Sequence, residues 1–180
     1  MMNNFFSDKV KNKINEDLSP TRNLTGVHLK VVAAIAIIWS LFQLWYASPF
    51  PFIFNIGMFK GLPARAIHLG FALTLAFLIY PISKGKKISI IDILISFVGA
   101  FVCLYIYFFY DQLVDRGGVL LNIKISESFN LPVELIIGSC GIILLLEATR
   151  RVIGLPLVII AISFLLFSYF GRYAPEIISH

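Results

Sequence analysis

Residues 90–110 read IIDILISFVGAFVCLYIYFFY, a run of 21 residues in which Asp92 is the single charged side chain. An α-helix needs about 20 apolar residues to cross the hydrocarbon core of a bilayer, within a range of about 17–25. This run reaches that length by itself, so it predicts a membrane-spanning helix.

Four further apolar stretches lie on either side of this run, at residues 30–46, 66–82, 133–146 and 152–170. The stretch at 133–146 reaches spanning length only with its neighbours. We therefore predict an all-α, polytopic membrane helical bundle of about five transmembrane helices. Residues 1–28 form a cytoplasmic N-terminal segment, and residues 29–180 form a single transmembrane domain. Its spans are predicted at about 29–46, 65–82, 89–110, 131–148 and 152–170.

The composition restricts the classes of function. With 58% hydrophobic and 14% charged residues among 180, the spans and short loops use nearly the whole chain and leave no room for a soluble catalytic domain. The net charge of +5 comes from basic residues that flank the spans, where they set orientation, so we predict no nucleic-acid partner. Cys103 and Cys140 lie inside predicted spans and are expected to be packing residues without a disulfide.

The distribution of basic residues predicts the orientation, because cytoplasmic loops carry an excess of Lys and Arg. The N-terminal segment, the loop at 83–89 and the turn at 147–154 are rich in basic residues, and the loops between them are not. The N-terminus is therefore predicted to be cytoplasmic and the C-terminus periplasmic. Trp45 and Tyr46 end the first span on the predicted outer side, as expected for interfacial aromatic residues.

Two segments outside the spans are also apolar in part. In the N-terminal segment, apolar residues recur every four positions, at Phe6, Val10, Ile14 and Leu18. This spacing predicts a short helix lying on the inner leaflet, and a frayed polar tail is the alternative. The first outer loop contains PFPFIF at residues 49–54, which is too apolar for a solvated loop and too rich in proline for a continuous helix. It is expected to be an interfacial or re-entrant segment, or a docking surface for a partner subunit.

Charged residues within or beside spans are the default candidates for function in a membrane protein. Each of them lies within a turn or two of an interface, where helix-end anchoring or an interhelical ion pair is the expected role. Glu147 and Arg151 are spaced to pair along one helix, and Asp92 shares the predicted inner side with the arginines of the last turn. The candidate structural and interaction residues are Arg65, His68, Asp92, Glu147, Arg150 and Arg151.

No metal-ligand cluster, phosphate-binding loop or nucleophile–base arrangement occurs in the sequence, so we predict no enzyme activity and no cofactor. A self-sufficient homo-oligomeric channel or small transporter is the alternative function. It needs a polar stripe along a pore, and the candidates for that stripe are Ser40, Gln43, Thr74, Ser96 and Ser139. Pairs of small residues four apart instead predict close helix packing, at Ala36/Ser40, Ser96/Ala100 and Gly99/Cys103.

Two blocks carry a family resemblance. RAIHLGFALTLAFLIYP at residues 65–81, and LLLEATRRVIGL at 144–155 followed by FGRYAP at 170–175, resemble the N-terminal region of fused permeases. The family is the tripartite ATP-independent periplasmic (TRAP) transporters, in the subclass served by TAXI-type binding proteins. The resemblance extends from about residue 29 onward. This chain stops at His180, where the fused permeases continue into their large transport region.

The resemblance implies a small, Q-type membrane subunit, or the equivalent N-terminal part of a fused permease, in a bacterial inner membrane. Its partners would be a large M-type permease subunit, which carries the substrate and sodium sites, and a periplasmic substrate-binding protein. The chain would scaffold a sodium-coupled transporter for organic acids. An ordinary Q-type subunit has four spans, and the fifth span predicted here would suit a connector to the large subunit.

Overall fold

The structure is a computed structural model that describes residues 21–22, 24–59, 61–82, 89–116, 122–126 and 129–170. The predicted inner-leaflet helix at Phe6, Val10, Ile14 and Leu18 lies outside these residues. The described elements, in chain order, are α1 (Gly26–Ala47), α2 (Phe50–Phe54), α3 (Gly61–Ile79), α4 (Ile90–Phe108), α5 (Tyr110–Asp115), β1 (Asn122–Ser126), β2 (Phe129–Pro132), α6 (Val133–Val152) and α7 (Leu155–Phe170).

The helical, membrane-compatible class is confirmed. Three helices, α1, α3 and α4, are long and apolar enough to cross a membrane. Helix α6 has 20 residues but includes Glu147, Arg150 and Arg151 in its last two turns, and α7 is apolar but has 16 residues. The count of five spans and the orientation of the termini stay predictions.

Helix α3 is the central element of the bundle. It contains eight buried residues, whereas α1 contains one. On one side, Leu73 and Phe77 pack with Cys103 of α4 and with α6. On the other side, Leu75 and Leu78 pack with Val32 of α1. Helix α7 packs on α6 and leaves most of its own apolar surface exposed.

Small residues allow α3, α4 and α6 to approach closely. Ser96, Gly99 and Cys103 of α4 are all buried, which confirms the packing role predicted from their spacing. A Cβ atom added at Gly70 of α3 would lie 3.2 Å from the Cβ atom of Cys103, and one added at Gly141 of α6 would lie 3.1 Å from Val102. The pair on α1 is less enclosed, since Ala36 is half-buried and Ser40 is exposed.

The close contact at Gly70 leads to a testable prediction. Gly70→Val should lower the free energy of unfolding by about 1–3 kcal/mol, because the added atoms meet the Cβ atom of Cys103, which is fixed to the α4 backbone. Gly138→Val is the matched control on α6, where an added Cβ atom meets nothing within 4 Å. Unfolding in mixed micelles by titration with sodium dodecyl sulfate measures both. Equal stability of the two variants would contradict tight α3–α4 packing.

Three local features differ from the sequence-based expectation. The turn predicted at residues 147–154 is helical as far as Val152. The chain then turns at Ile153 and Gly154, and the φ of Gly154 is 112°. The third loop is not a plain polar connection, since it contains α5 and an antiparallel hairpin that pairs Asn122 with Pro132. The first loop contains the short helix α2, which begins after Pro49.

Candidate functional site: a buried charge cluster at one end of the bundle

Five charged side chains meet at one end of the bundle, and we call them the charge cluster; they are Arg22, Asp92, Glu147, Arg150 and Arg151. They come from the segment before α1, the first turn of α4 and the last two turns of α6. The end of α3 lies among them and contributes backbone carbonyl groups. The cluster therefore joins four separate parts of the chain.

Asp92 is the centre of the cluster, and its side chain is fully buried. Arg22 donates from Nη2 to Asp92 Oδ2 at 2.6 Å, and Arg151 donates from Nη1 to Asp92 Oδ1 at 2.8 Å. The side chains of the two arginines are only 1% and 2% exposed. One carboxylate thus accepts a charge-assisted hydrogen bond on each oxygen from a different element of the fold.

The two arginines also satisfy the end of α3, where the last carbonyl groups of a helix lack partners within the helix. Arg22 donates from Nη1 to the Leu78 carbonyl at 3.1 Å and from its backbone N–H to the Ile79 carbonyl at 2.9 Å. Arg151 donates from Nη1 to the Tyr80 carbonyl at 3.1 Å, and its guanidinium lies 5.0 Å from the Phe77 ring centroid. Positive charge is also favourable at this negative end of the helix dipole.

Local sequence explains why each charge stands where it does. Ser89 caps α4 by accepting a hydrogen bond from the Ile91 N–H, which places Asp92 in the first turn, where the helix dipole favours an acid. Arg150 and Arg151 occupy the last turn of α6, where the dipole favours a base. The first turn of α4 and the last turn of α6 therefore favour these charges even without the contacts between helices.

Glu147 ties the two arginines of α6 together. Its Oε1 accepts from Nε of Arg151 at 2.7 Å, and its Oε2 accepts from Nε of Arg150 at 2.7 Å. The Arg150 side chain is 42% exposed, so its part of the cluster is in contact with solvent. The hydrogen bond to Glu147 raises the pKa of Arg150, which lies beyond the predicted fourth span.

The structure brings together most of the residues that the sequence singled out. The pairing of Glu147 with Arg151 along one helix is confirmed, and so is the ion pair between Asp92 and an arginine of the last turn. Arg22 was interpreted only as an orienting charge, and its role as a buried partner of Asp92 was missed. The available signal was Asp92 itself, because a lone acid within an apolar span indicates a cationic partner.

Arg65 and His68 lie apart from the charge cluster, at the other end of α3. Arg65 is exposed, and no ion pair or hydrogen bond joins its side chain to another residue in the described part of the chain. His68 is also exposed, and its Nδ1 accepts from Trp39 Nε1 at 3.3 Å and contacts the side-chain amide of Gln43.

A second ion pair lies at the end of α6 opposite the charge cluster. Arg116, which follows α5, donates from Nη1 to Glu134 Oε1 at 2.6 Å and from Nε to the Gln112 carbonyl at 3.1 Å. Glu134 stands in the first turn of α6. This pair connects the third loop to the start of α6, and the sequence did not predict it.

The charge cluster is suited to holding helices together and not to acid–base chemistry. Asp92 is buried between two arginines, and each of its carboxylate oxygens accepts a hydrogen bond from one of them. Two buried donors, Arg22 Nε and Arg151 Nη2, find no partner in the described residues. Among those residues, no three His, Cys, Asp or Glu side chains come together as a metal site would require.

A scan against protein-family models, a search of curated proteins and a search of solved structures each found no match to this chain. The resemblance to TRAP permeases therefore stays a prediction that depends on the two sequence blocks quoted above.

Proposed function

We propose that this chain is a static scaffold subunit of a larger membrane transport assembly. The observation that carries the proposal is the charge cluster, in which Arg22, Asp92 and Arg151 fix the ends of α3, α4 and α6 to one another. Breaking such a cluster strands a buried charge, and that is costly. A helix bundle fixed in this way suits a brace better than a part that moves during transport.

The polar residues within the apolar helices also support a scaffold over a pathway. Ser40 donates to the Ala36 carbonyl at 2.9 Å, Thr74 to the Gly70 carbonyl at 2.8 Å, and Ser96 to the Thr74 carbonyl at 3.3 Å. These hydroxyl groups donate to backbone carbonyl groups, and the side chain of Gln43 contacts His68. A homo-oligomeric channel would need a polar stripe facing its pore.

At the finer level, we propose that the assembly is a sodium-coupled TRAP transporter for organic acids in a bacterial inner membrane. The chain would brace a large M-type permease subunit, while a periplasmic binding protein delivers the substrate. This level of the proposal depends on the blocks at residues 65–81 and 144–155. The charged residues of the second block, Glu147, Arg150 and Arg151, are part of the charge cluster, which gives that block a structural reason for its composition.

Affinity purification from native membranes in mild detergent tests this proposal. A tag on the N-terminus of the full chain should recover a large polytopic permease in equal amount, identified by mass spectrometry. Solute uptake should then be lost when the gene of that permease is deleted. Recovery of this chain as a homo-oligomer, with uptake that it mediates alone, would overturn the scaffold proposal and support the channel alternative.

A further inference from the structure

The segment after α1 exposes an unusual amount of apolar surface, and we call residues 48–59 the aromatic loop. Residues 44–59 contain no charged side chain. The most exposed apolar side chains of the loop are Phe52 at 72%, Ile56 at 66% and Ile53 at 64%. A contiguous apolar surface of this kind marks a contact with a membrane or with another protein.

The aromatic loop is folded, so its exposed residues are held in place. Ser48 donates from Oγ to the Trp45 carbonyl at 2.8 Å, and the ring centroids of Trp45 and Phe50 are 6.4 Å apart. After α2 the chain turns back at Asn55 and Gly57, whose φ values are 53° and 65°. A Cβ atom added at Gly57 would lie 3.1 Å from Nε1 of the Trp45 indole, so the returning chain lies against this ring.

Three properties indicate what covers this surface. The loop continues directly from α1, a largely apolar helix most of whose residues are exposed and whose buried residue is Val32. Trp45 and Tyr46, where the two meet, are the residue types that collect at the boundary between lipid and water. Part of the backbone of α2 has hydrogen-bond partners within the loop, as backbone groups in lipid require. The N–H groups of Phe52 and Ile53 both donate to the Pro49 carbonyl at 3.1 Å.

We propose that the aromatic loop is immersed in the membrane, with Phe52, Ile53 and Ile56 inserted at the boundary between headgroups and acyl chains. The leaflet is the one at the C-terminal end of α1, which the charge pattern predicts to be the outer leaflet. A surface that binds a soluble protein carries a polar rim with hydrogen-bonding side chains, and residues 49–59 offer Asn55 alone among the described polar side chains. The proposal does not depend on the TRAP assignment.

Site-directed spin labelling of the full chain in vesicles of phosphatidylethanolamine and phosphatidylglycerol tests the proposal. Phe52→Cys and Ile53→Cys place a nitroxide on the loop, and Gln112→Cys places one on the exposed surface of α5 as the matched control. All three are made with Cys103→Ala and Cys140→Ala. Collision with oxygen, which concentrates in lipid, is compared with collision with a water-soluble nickel chelate.

The depth parameter, the logarithm of the oxygen-to-nickel collision ratio, should be positive at residues 52 and 53 and negative at residue 112. A negative value at both loop positions would place the loop in water and overturn the proposal. Low collision rates with both reagents would mean that protein covers the loop, either a second copy of this chain or another subunit, and would equally overturn immersion in lipid.

Discussion

Asp92→Asn should lower the free energy of unfolding of this protein by about 3–5 kcal/mol, the cost of removing one partner from a buried ion pair. The side chain is fully buried and accepts from two arginines on different elements. The amide that replaces it still accepts one hydrogen bond but carries no charge. Arg151 keeps Glu147 as a counter-ion, whereas Arg22 has no other carboxylate partner among the described residues.

Titration with sodium dodecyl sulfate in mixed micelles measures this loss, with Asp115→Asn as the control. Asp115 is an exposed acid at the end of α5, so its substitution should change stability by no more than about 0.5 kcal/mol. In the Asp92→Asn variant, the further substitution Arg22→Gln should cost less stability than the same substitution in the original protein. The reason is that Asp92→Asn leaves the charge of Arg22 stranded, and Arg22→Gln removes that charge. Additive costs of the two substitutions would contradict a direct Arg22–Asp92 pair.

The broad fold follows from the sequence because the apolar pattern is local. A run such as residues 90–110 determines a helix of membrane length without reference to any other part of the chain. Helix ends are less well determined, since they depend on capping and on neighbouring elements. The extension of α6 to Val152 illustrates this, because its last turn is held by contacts of Arg151 with Asp92 and Tyr80 of other elements.

The charge cluster was predictable in part for the same reason. The pair of Glu147 and Arg151 lies on one helix, so its spacing in the sequence is enough to predict it. The contact of Arg22 with Asp92 spans 70 residues and depends on how the segment before α1 passes the end of α3. The position of Arg22 beside a span is equally well explained by orientation in the membrane, so the sequence does not distinguish the two roles.

The hairpin of β1 and β2 was missed because its signal is weak. Residues 122–132 lie between charged and apolar neighbours, and they show neither the length of a span nor a strong turn motif such as Asn-Gly. Arg116 and Glu134, which bond to each other, stand on either side of the hairpin in the chain.

Arg151→Gln should destabilise the protein by about 3 kcal/mol or more, whereas Arg150→Gln should cost about 0–1 kcal/mol. The two substitutions remove the same charge from adjacent positions of α6. The Arg151 side chain is 2% exposed and contacts Asp92, Glu147 and the Tyr80 carbonyl. Arg150 is 42% exposed and bonds to Glu147, so water replaces most of what its loss removes.

The same detergent titration separates the two variants, and the identical change in net charge makes each the control for the other. Arg151→Lys should restore only part of the stability, because a single ammonium group cannot reproduce the fork by which Nε and Nη1 bond to Glu147 and Asp92. Equal losses at positions 150 and 151 would contradict the cluster, since they would mean that net charge near the membrane, and not burial between α3, α4 and α6, determines the effect. A larger loss at position 151 would instead show that the last turn of α6 is held by its contacts with the other helices, as a rigid brace requires.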